Sequence, residues 1–181
     1  MRQLTEEEVK LVFEKLAKFV GSNLLHIIDN QEHPYVFRLH HERVFYMSEQ
    51  LLKMAGHIPR KSLILAGTCI GKFTKTRKFR LQVTALDLIA RYARYKVWLK
   101  PAGDQAFVYG NHVIKRHIGR VTADMPQNAG VCICSLNNDL PLGFGVAAKS
   151  TSDIHAAETE AIAVYHMADI GEYLREEVSL L

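Results

Sequence analysis

A segment containing glycine and lysine, Gly67–Thr74, has residue types that could bind a nucleotide phosphate. A phosphate-binding loop of the Walker type has four residues between its glycines and a Ser or Thr directly after its Lys. Here three residues separate Gly67 from Gly71, and Phe73 follows Lys72. Because the hydroxyl that would bind Mg²⁺ is missing, the sequence predicts no nucleotide hydrolysis at this segment.

Histidine and cysteine side chains are the next residues that could do chemistry, as metal ligands. The candidates are His112, His117, His166, Cys132 and Cys134. The two cysteines are alternate residues of a predicted strand, so both thiols lie on one face, where they can pack as well as bind. No pair among these residues has the spacing of a zinc finger. We therefore predict no metal site and no cofactor.

Acid–base or nucleophilic catalysis would need a carboxylate or a thiol placed in a pocket. The part of the chain richest in cations offers only Asp87, Asp104 and Cys69. None of these residues belongs to a cofactor fingerprint. The sequence therefore predicts a protein that is not an enzyme.

Positive charge is concentrated in the middle third of the chain. Residues 61–120 contain 13 Lys and Arg against two acidic residues, a net charge of +11, whereas the first sixty residues are balanced and the rest carry −7. The cations are densest in a basic run that contains Lys72, Lys75, Arg77, Lys78 and Arg80. A positive field of this kind attracts a polyanion, and counterion release makes RNA or DNA the first candidate. A solvated surface, or a match to an acidic protein, is the alternative.

The elements that must position the basic run are predicted from periodicity and from helix-end signals. Thr5 and Glu8 form a capping box that begins a helix, and Gly21 can end it. Further helices are predicted after Ser48 and after Thr84. Short strands are predicted at residues 24–28, 35–39, 44–47 and 63–66, with turns at Asp29–Asn30 and 40–43. The first half is therefore predicted to be α+β, an antiparallel sheet with flanking helices.

The end of the basic run alternates between charged and apolar residues. In a strand, this alternation directs Lys78 and Arg80 to one face and Phe79 and Leu81 to the other. The cations would then face solvent or a ligand while the apolar side chains join the core.

From about residue 96, short strands separated by Gly, Pro and Asn predominate. They are predicted at residues 97–99, 105–109, 131–135, 143–147 and 161–165, with one helical patch at residues 112–117. This pattern predicts a small β-barrel. We expect residues 1–95 to form the N-terminal α+β domain and residues 96–181 to form the barrel.

Three segments of the second half resemble those of a PUA domain, the RNA-binding barrel appended to many RNA-modifying enzymes. They are residues 109–115 (YGNHVIK), 141–150 (PLGFGVAAKS) and 168–175 (ADIGEYLR). Residues 1–8 (MRQLTEEE) and 71–75 (GKFTK) extend the resemblance over the whole chain. The chain resembles members of the Nip-seven family (nuclear import protein seven), which are assembly factors of the large ribosomal subunit.

The resemblance implies a non-enzymatic protein of the nucleus and nucleolus, with the cytoplasm as a further location. It implies binding to pre-ribosomal RNA and to other large-subunit (60S) assembly factors, and a requirement in subunit maturation and pre-rRNA processing. It also implies a monomer outside the pre-ribosome and no membrane partner. The family's RNA-binding function in the PUA domain maps here onto Asn111, His112, Lys115, Arg116 and Lys149.

One strand departs from the pattern expected of archaeal relatives, which is a basic cluster. Here residues 161–164 read AIAV, and no cation lies between Arg120 and Lys149 or between Lys149 and Arg175. This apolar strand could face protein instead of RNA. Phe73 and Tyr109 are candidates for stacking on single-stranded bases. A protein-interaction adaptor without direct RNA contact therefore remains the alternative function.

Overall fold

The computed structural model describes residues 1–28, 34–59 and 61–180. The predicted turn at Asp29–Asn30 lies outside these residues. The chain divides into two compact units. Unit 1 comprises Met1–Ala17 and Ser22–Ala85, and unit 2 comprises Lys18–Gly21 and Leu86–Leu181.

The first 85 residues contain a four-stranded antiparallel sheet with the order β1-β2-β3-β4. Its strands are β1 (Tyr35–His40), β2 (Arg43–Ser48), β3 (Thr68–Phe73) and β4 (Phe79–Leu81). The accompanying helices are α1 (Glu6–Val20), α2 (Leu24–Ile28) and α3 (Glu49–Ala55). This arrangement confirms the predicted antiparallel sheet with flanking helices.

Helix α1 begins as its sequence predicts. The Glu8 amide donates to Thr5 Oγ1 at 3.3 Å, and the Thr5 amide donates to Glu8 Oε2 at 2.9 Å, which is a complete capping box. The apolar side of α1 packs on the sheet, where Phe13 meets Phe37 edge-on with ring centroids 5.4 Å apart. The capping box therefore determines where the helix begins, and the apolar contact determines which of its sides packs on the sheet.

The opposite face of the sheet is also covered. Phe45 and Met47 of β2 form a buried cluster with Ala55 at the end of α3, and with Leu63 and Ala66 of the following segment. Helix α3 begins where Ser48 Oγ accepts from the Leu51 amide at 3.3 Å, as predicted from the serine. The sheet is therefore sandwiched between two apolar layers.

Two of the strands predicted in the first half are wrong. Residues 24–28 form helix α2, because a short apolar run does not distinguish strand from helix and this run continues directly from a turn at Gly21–Asn23. Residues 63–66 form no strand, and Leu63 and Ala66 pack against β2 instead. Leu63 points into the core while its carbonyl accepts a hydrogen bond from His40 Nε2 at 3.0 Å.

The predicted helix after Thr84 forms, but Thr84 does not cap it. A 3-10 turn at Val83–Ala85 precedes helix α4 (Leu86–Tyr92). The Thr84 hydroxyl instead donates to the carbonyl of Cys69 at 2.5 Å, which ties this turn to β3.

Unit 2 contains a six-stranded sheet with the order β6-β10-β9-β8-β5-β7. The strands are β5 (Lys96–Leu99), β6 (Val113–Ile114), β7 (Ile118–Val121), β8 (Gly130–Ser135), β9 (Pro141–Ala147) and β10 (Ile162–Asp169). The helices are α5 (Pro101–Val108), α6 (Thr151–Ala156), α7 (Glu172–Arg175) and α8 (Glu177–Leu180). Because one short turn at Lys115–His117 joins the two end strands, the barrel is nearly closed, as predicted.

The barrel interior contains apolar side chains from most of its strands, including Val97, Leu99, Val131, Ile133 and Val164, all of them 0% exposed. Alternation along each strand directs these residues inward. The fold therefore confirms the α+β class with a C-terminal PUA-like barrel. No helix among the described residues combines the length and apolar character needed to cross a membrane.

One local prediction for the barrel is wrong, and another holds only in part. Residues 105–108 end helix α5, because Pro101 at the first turn begins a helix that continues through them. Of the helical patch predicted at residues 112–117, Lys115–His117 form a 3-10 helix, whereas Val113–Ile114 form strand β6. The sequence also missed β6 and β7, since two- and four-residue strands carry little periodic signal.

Candidate nucleic-acid interface

The basic run forms a β-hairpin of strands β3 and β4. Lys72 lies opposite Arg80, and Phe73 lies opposite Phe79. Phe79 and Leu81 are buried while Arg80 between them is exposed, which confirms the predicted alternation on β4. The ring centroids of Phe73 and Phe79 lie 5.2 Å apart. Phe79 therefore covers part of the Phe73 ring and leaves less of it for a base to stack on.

The loop of this hairpin, residues 74–78, is ordered by its own hydrogen bonds. The Thr74 amide donates to the carbonyl of Lys78 at 2.9 Å, and the Lys78 amide donates to Thr74 Oγ1 at 3.1 Å. The Arg77 amide donates to the carbonyl of Thr74 at 2.8 Å. Arg77 has φ of 55°, a left-handed conformation that is costly for a side chain other than glycine. The loop therefore presents its three exposed cations, Lys75, Arg77 and Lys78, on a defined backbone.

The hairpin cations have no carboxylate partners within the described part of the chain. The ion pairs found there do not include Lys72, Lys75, Arg77, Lys78 or Arg80. A surface groove of about 290 Å³ beside the loop combines Lys75 and Arg77 with acidic side chains, among them Glu7 and Glu42. Because no ion pair joins these acids to the hairpin cations in the described residues, the five clustered positive charges favour an anionic ligand.

Lys115 and Arg116, which were predicted to bind RNA, have their charged groups engaged within the protein. Lys115 Nζ donates to the carbonyls of His155 at 2.8 Å and Ala157 at 2.5 Å, at the end of α6. Arg116 Nη1 pairs with Glu160 Oε1 at 2.7 Å, and both side chains are more than half exposed. Lys115 therefore has a structural role, whereas Arg116 can exchange a solvated partner for another anion.

The remaining predicted barrel residues border strand β10. His112 Nδ1 accepts from the His166 amide at 3.1 Å, and its ring meets Tyr165 edge-on with centroids 5.6 Å apart. Asn111 Nδ2 donates to the carbonyl of Ala106 at 3.0 Å, which caps the end of α5. Lys149 is half-buried in the turn after β9.

Backbone pairing places Lys115 and Lys149 on either side of the first residues of β10. The Lys115 amide donates to the carbonyl of Ala161, and the Ala148 amide donates to the carbonyl of Ala163. The outer surface of β10 exposes Ile162, Tyr165 and Met167. The edge of the barrel thus combines cations with an apolar strand.

Sequence reasoning did not include Arg43 among the candidate contacts, and it placed Arg120 at the basic edge of the barrel without predicting what its side chain contacts. Arg43 begins β2 directly opposite Lys72, although its sequence context predicted a turn. The Arg120 guanidinium lies 3.7 Å from the centroid of the Trp98 ring, to which it is paired across β5 and β7. No local pattern would have indicated either arrangement, because each depends on strand register.

A buried carboxylate organises the end of unit 2. Asp169, fully buried, accepts hydrogen bonds from His166 Nε2 at 2.6 Å, the Gly171 amide at 2.7 Å and Arg175 Nη2 at 2.7 Å. His166, Asp169 and Glu172 also have potential metal-ligand atoms within 4.8 Å of one another. Because Arg175 already supplies the countercharge to Asp169, the chemistry of this group fits a structural network. Burial raises the pKa of the nearby Glu172 carboxyl.

The nearly closed barrel of unit 2, with its short helices, is the fold of a PUA domain. A PUA-domain protein from Aeropyrum pernix K1, solved as a tartrate complex, superposes with a TM-score of 0.63 at 14% identity, covering 98% of this chain and 90% of that chain. A hypothetical protein from Pyrococcus horikoshii OT3 superposes with a TM-score of 0.61 at 13% identity, covering 96% of each. At these identities the likeness shows the fold alone.

Sequence comparisons extend the likeness to both units. Residues 1–83 match the NIP7/UPF0113 pre-PUA domain, and residues 95–178 match the UPF0113 PUA domain. The chain is 55% identical over 180 residues to "60S ribosome subunit biogenesis protein nip7" of Schizosaccharomyces pombe and to the NIP7 homolog of Rattus norvegicus, covering 99% of each chain. The chain belongs to the NIP7/UPF0113 family, which confirms the resemblance found in its sequence.

Proposed function

We propose that this protein is a non-enzymatic RNA-binding adaptor in the biogenesis of the large (60S) ribosomal subunit. The names of its relatives and its PUA fold support this role. The observation that carries direct RNA binding is the β3–β4 hairpin, which holds five cations without carboxylate partners in the described residues. Such a surface binds phosphates and positions an RNA without reading its sequence.

The proposed contacts come from both units. In unit 1 they are Lys72, Lys75, Arg77, Lys78 and Arg80. In unit 2, Asn111, His112, Arg116 and Lys149 are the better placed candidates, since Lys115 would have to give up two hydrogen bonds to carbonyls before its ammonium could reach a phosphate. Lys115 therefore supports the barrel edge at which the other four residues act.

The setting proposed for this activity follows from the family. The protein acts in the nucleus and nucleolus, and also in the cytoplasm, as a monomer when outside the pre-ribosome. Its partners are pre-ribosomal RNA and other large-subunit assembly factors, and through them it takes part in pre-rRNA processing. It requires no cofactor for this role.

A salt titration of RNA binding tests the hairpin. Replacing Lys75, Arg77 and Lys78 by Gln should reduce the slope of log affinity against log salt by roughly 2, because each single-strand phosphate contact contributes about 0.7. A matched control replaces Lys10, Lys15 and Lys53 by Gln, which removes the same charge from exposed positions of unit 1. Equal slopes for the hairpin variant and the control would show that the loop does not bind RNA.

A protein-interaction adaptor is the second candidate function. The exposed apolar residues of β10, with Tyr165 at 48% and Met167 at 41% exposure, favour it as a surface that a protein partner could cover. Crosslinking of the purified chain to RNA, compared with recovery of its partners after nuclease treatment, separates the two functions. Partners retained after nuclease without an RNA crosslink would favour the adaptor.

A further inference from the structure

Three cations lie side by side across the sheet of unit 1. Arg43 of β2 is the direct partner of Lys72 on β3, and Lys72 is the direct partner of Arg80 on β4. Residues directly opposite in antiparallel strands point to the same face, and neighbouring strands are about 4.8 Å apart. Arg43, Lys72 and Arg80, here called the cation row, therefore form a line about 10 Å long that runs perpendicular to the strands.

Two of the described groups beside the cation row, Cys69 and Gln82, carry no negative charge. Cys69 interacts with Arg43, but burial raises the pKa of the Cys69 thiol, which keeps it neutral. Gln82 is also uncharged, and its Oε1 accepts a hydrogen bond from the Cys69 thiol at 3.4 Å. His40 continues the line on β1, where its ring donates to the carbonyl of Leu63.

The segment that contains Lys72 and Arg80 also lacks acids, since no Asp or Glu occurs between Glu49 and Asp87. Like charges directly opposite each other in a sheet destabilise it. In the described part of the chain, Lys72 and Arg80 have no ion-pair partner that would offset this repulsion. An anionic ligand lying across the strands would convert the repulsion into attraction.

We propose that the cation row is a phosphate-binding track that holds an RNA backbone across β2, β3 and β4, with Arg43 as one of its contacts. The proposal rests on the proposed RNA-binding function. It adds Arg43 as a contact and specifies that the RNA backbone runs perpendicular to the strands. A regularly charged backbone matches cations at short, even intervals. The row itself contains no large apolar side chain, whereas a docked protein segment would need such an anchor.

Equilibrium binding of a single-stranded oligouridylate tests the track. In the variant Arg43→Gln/Lys72→Gln/Arg80→Gln, the salt slope should fall by roughly 2 and the affinity should drop about tenfold or more at 0.1 M salt. The double variant Lys72→Gln/Arg80→Gln keeps Arg43 and its contact with Cys69. Its salt slope should fall by about two thirds of the decrease seen in the triple variant. The matched control Lys10→Gln/Lys15→Gln/Lys53→Gln should bind within about twofold of the wild type.

Thermal unfolding without RNA gives a second readout. Lys72→Gln should raise Tm by about 1–3 °C, because it removes the central charge of the row. Unchanged RNA affinity and slope in the row variants, with a wild type that binds RNA, would overturn the track and leave the proposed function standing. A wild type with no RNA affinity would overturn both. If polyglutamate bound the wild type as tightly as RNA and depended on the same row, the track would belong to an acidic protein and not to RNA.

Discussion

At the scale of single residues, the basic run owes its properties to backbone geometry as much as to charge. Arg77 occupies a left-handed conformation that glycine adopts without cost, yet it supplies a charge at the hairpin tip. Phe73, a candidate for base stacking, is instead packed against Phe79. Charge is therefore retained at the tip at the expense of backbone strain.

Arg77→Gly should separate stability from binding. Relief of the left-handed strain is partly offset by the greater unfolded-state entropy of glycine, so the free energy of unfolding should stay the same or rise by up to about 1 kcal/mol. The RNA salt slope should decrease by about 0.7. Urea unfolding and a salt titration measure the two effects. Arg77→Val removes the same charge but should destabilise the protein, and a stable Val variant would argue against strain at this position.

Asp169 is the residue on which the end of unit 2 depends. Asp169→Asn should lower the free energy of unfolding by about 2–3 kcal/mol, because Arg175 and His166 would lose their shared buried acceptor. Urea unfolding measures the change. The control Glu158→Gln alters an exposed carboxylate and should change stability by less than about 0.5 kcal/mol. Equal effects of the two substitutions would show that the network contributes little.

At the scale of elements, each unit positions its cations with short, hydrogen-bonded connections. The β3–β4 hairpin is closed by Thr74, which bonds Lys78 through both its amide and its hydroxyl. The edge of the barrel is held where Lys115 caps the end of α6. Elements built in this way keep the backbone that carries the charged side chains ordered without a ligand, which lowers the entropic cost of binding.

The stability contributed by the N-terminus of helix α1 should decrease at acidic pH. The hydrogen bond from Arg2, helped by that from the Thr5 amide, lowers the pKa of the Glu8 carboxyl. A lowered folded-state pKa gives stability that is present above the unfolded value of about 4.3 and is lost as pH falls through the folded value. Glu8→Ala should therefore cost about 1 kcal/mol at pH 7 and much less at pH 3.

Urea unfolding at pH 7 and pH 3 measures this difference. Glu7→Ala, which changes an exposed acid in the same helical turn, is the control and should show a smaller pH-dependent effect. A Glu8→Ala cost that is equal at both pH values would exclude the ionised carboxylate as its origin.

At the scale of the whole molecule, the charge is divided along the chain. The basic middle third contributes the hairpin cations of unit 1 and Lys115, Arg116 and Arg120 of unit 2. The last third, with a net charge of −7, contributes the buried carboxylate network and exposed acids such as Glu160. We therefore expect most RNA contacts to come from the middle of the chain, with Lys149 as an exception, and protein contacts to come from its end.

Features that rest on local signals could be derived from the sequence alone. The capping box of α1, the serine that begins α3, the alternation on β4 and the barrel strands β5, β8, β9 and β10 were predicted correctly, because each depends on residues a few positions apart. Family membership followed from segments spread over the chain, and the comparisons confirm it.

Contacts between distant residues determine which cations share a face and which are already engaged within the protein. The register of β2 on β3 brings Arg43 opposite Lys72, and the approach of α6 occupies the ammonium of Lys115. The helical state of residues 24–28 and 105–108 was likewise set by the flanking turn and proline, which outweighed a short apolar run. These outcomes depend on pairings and packing between distant residues, and local periodicity carries no information about such contacts.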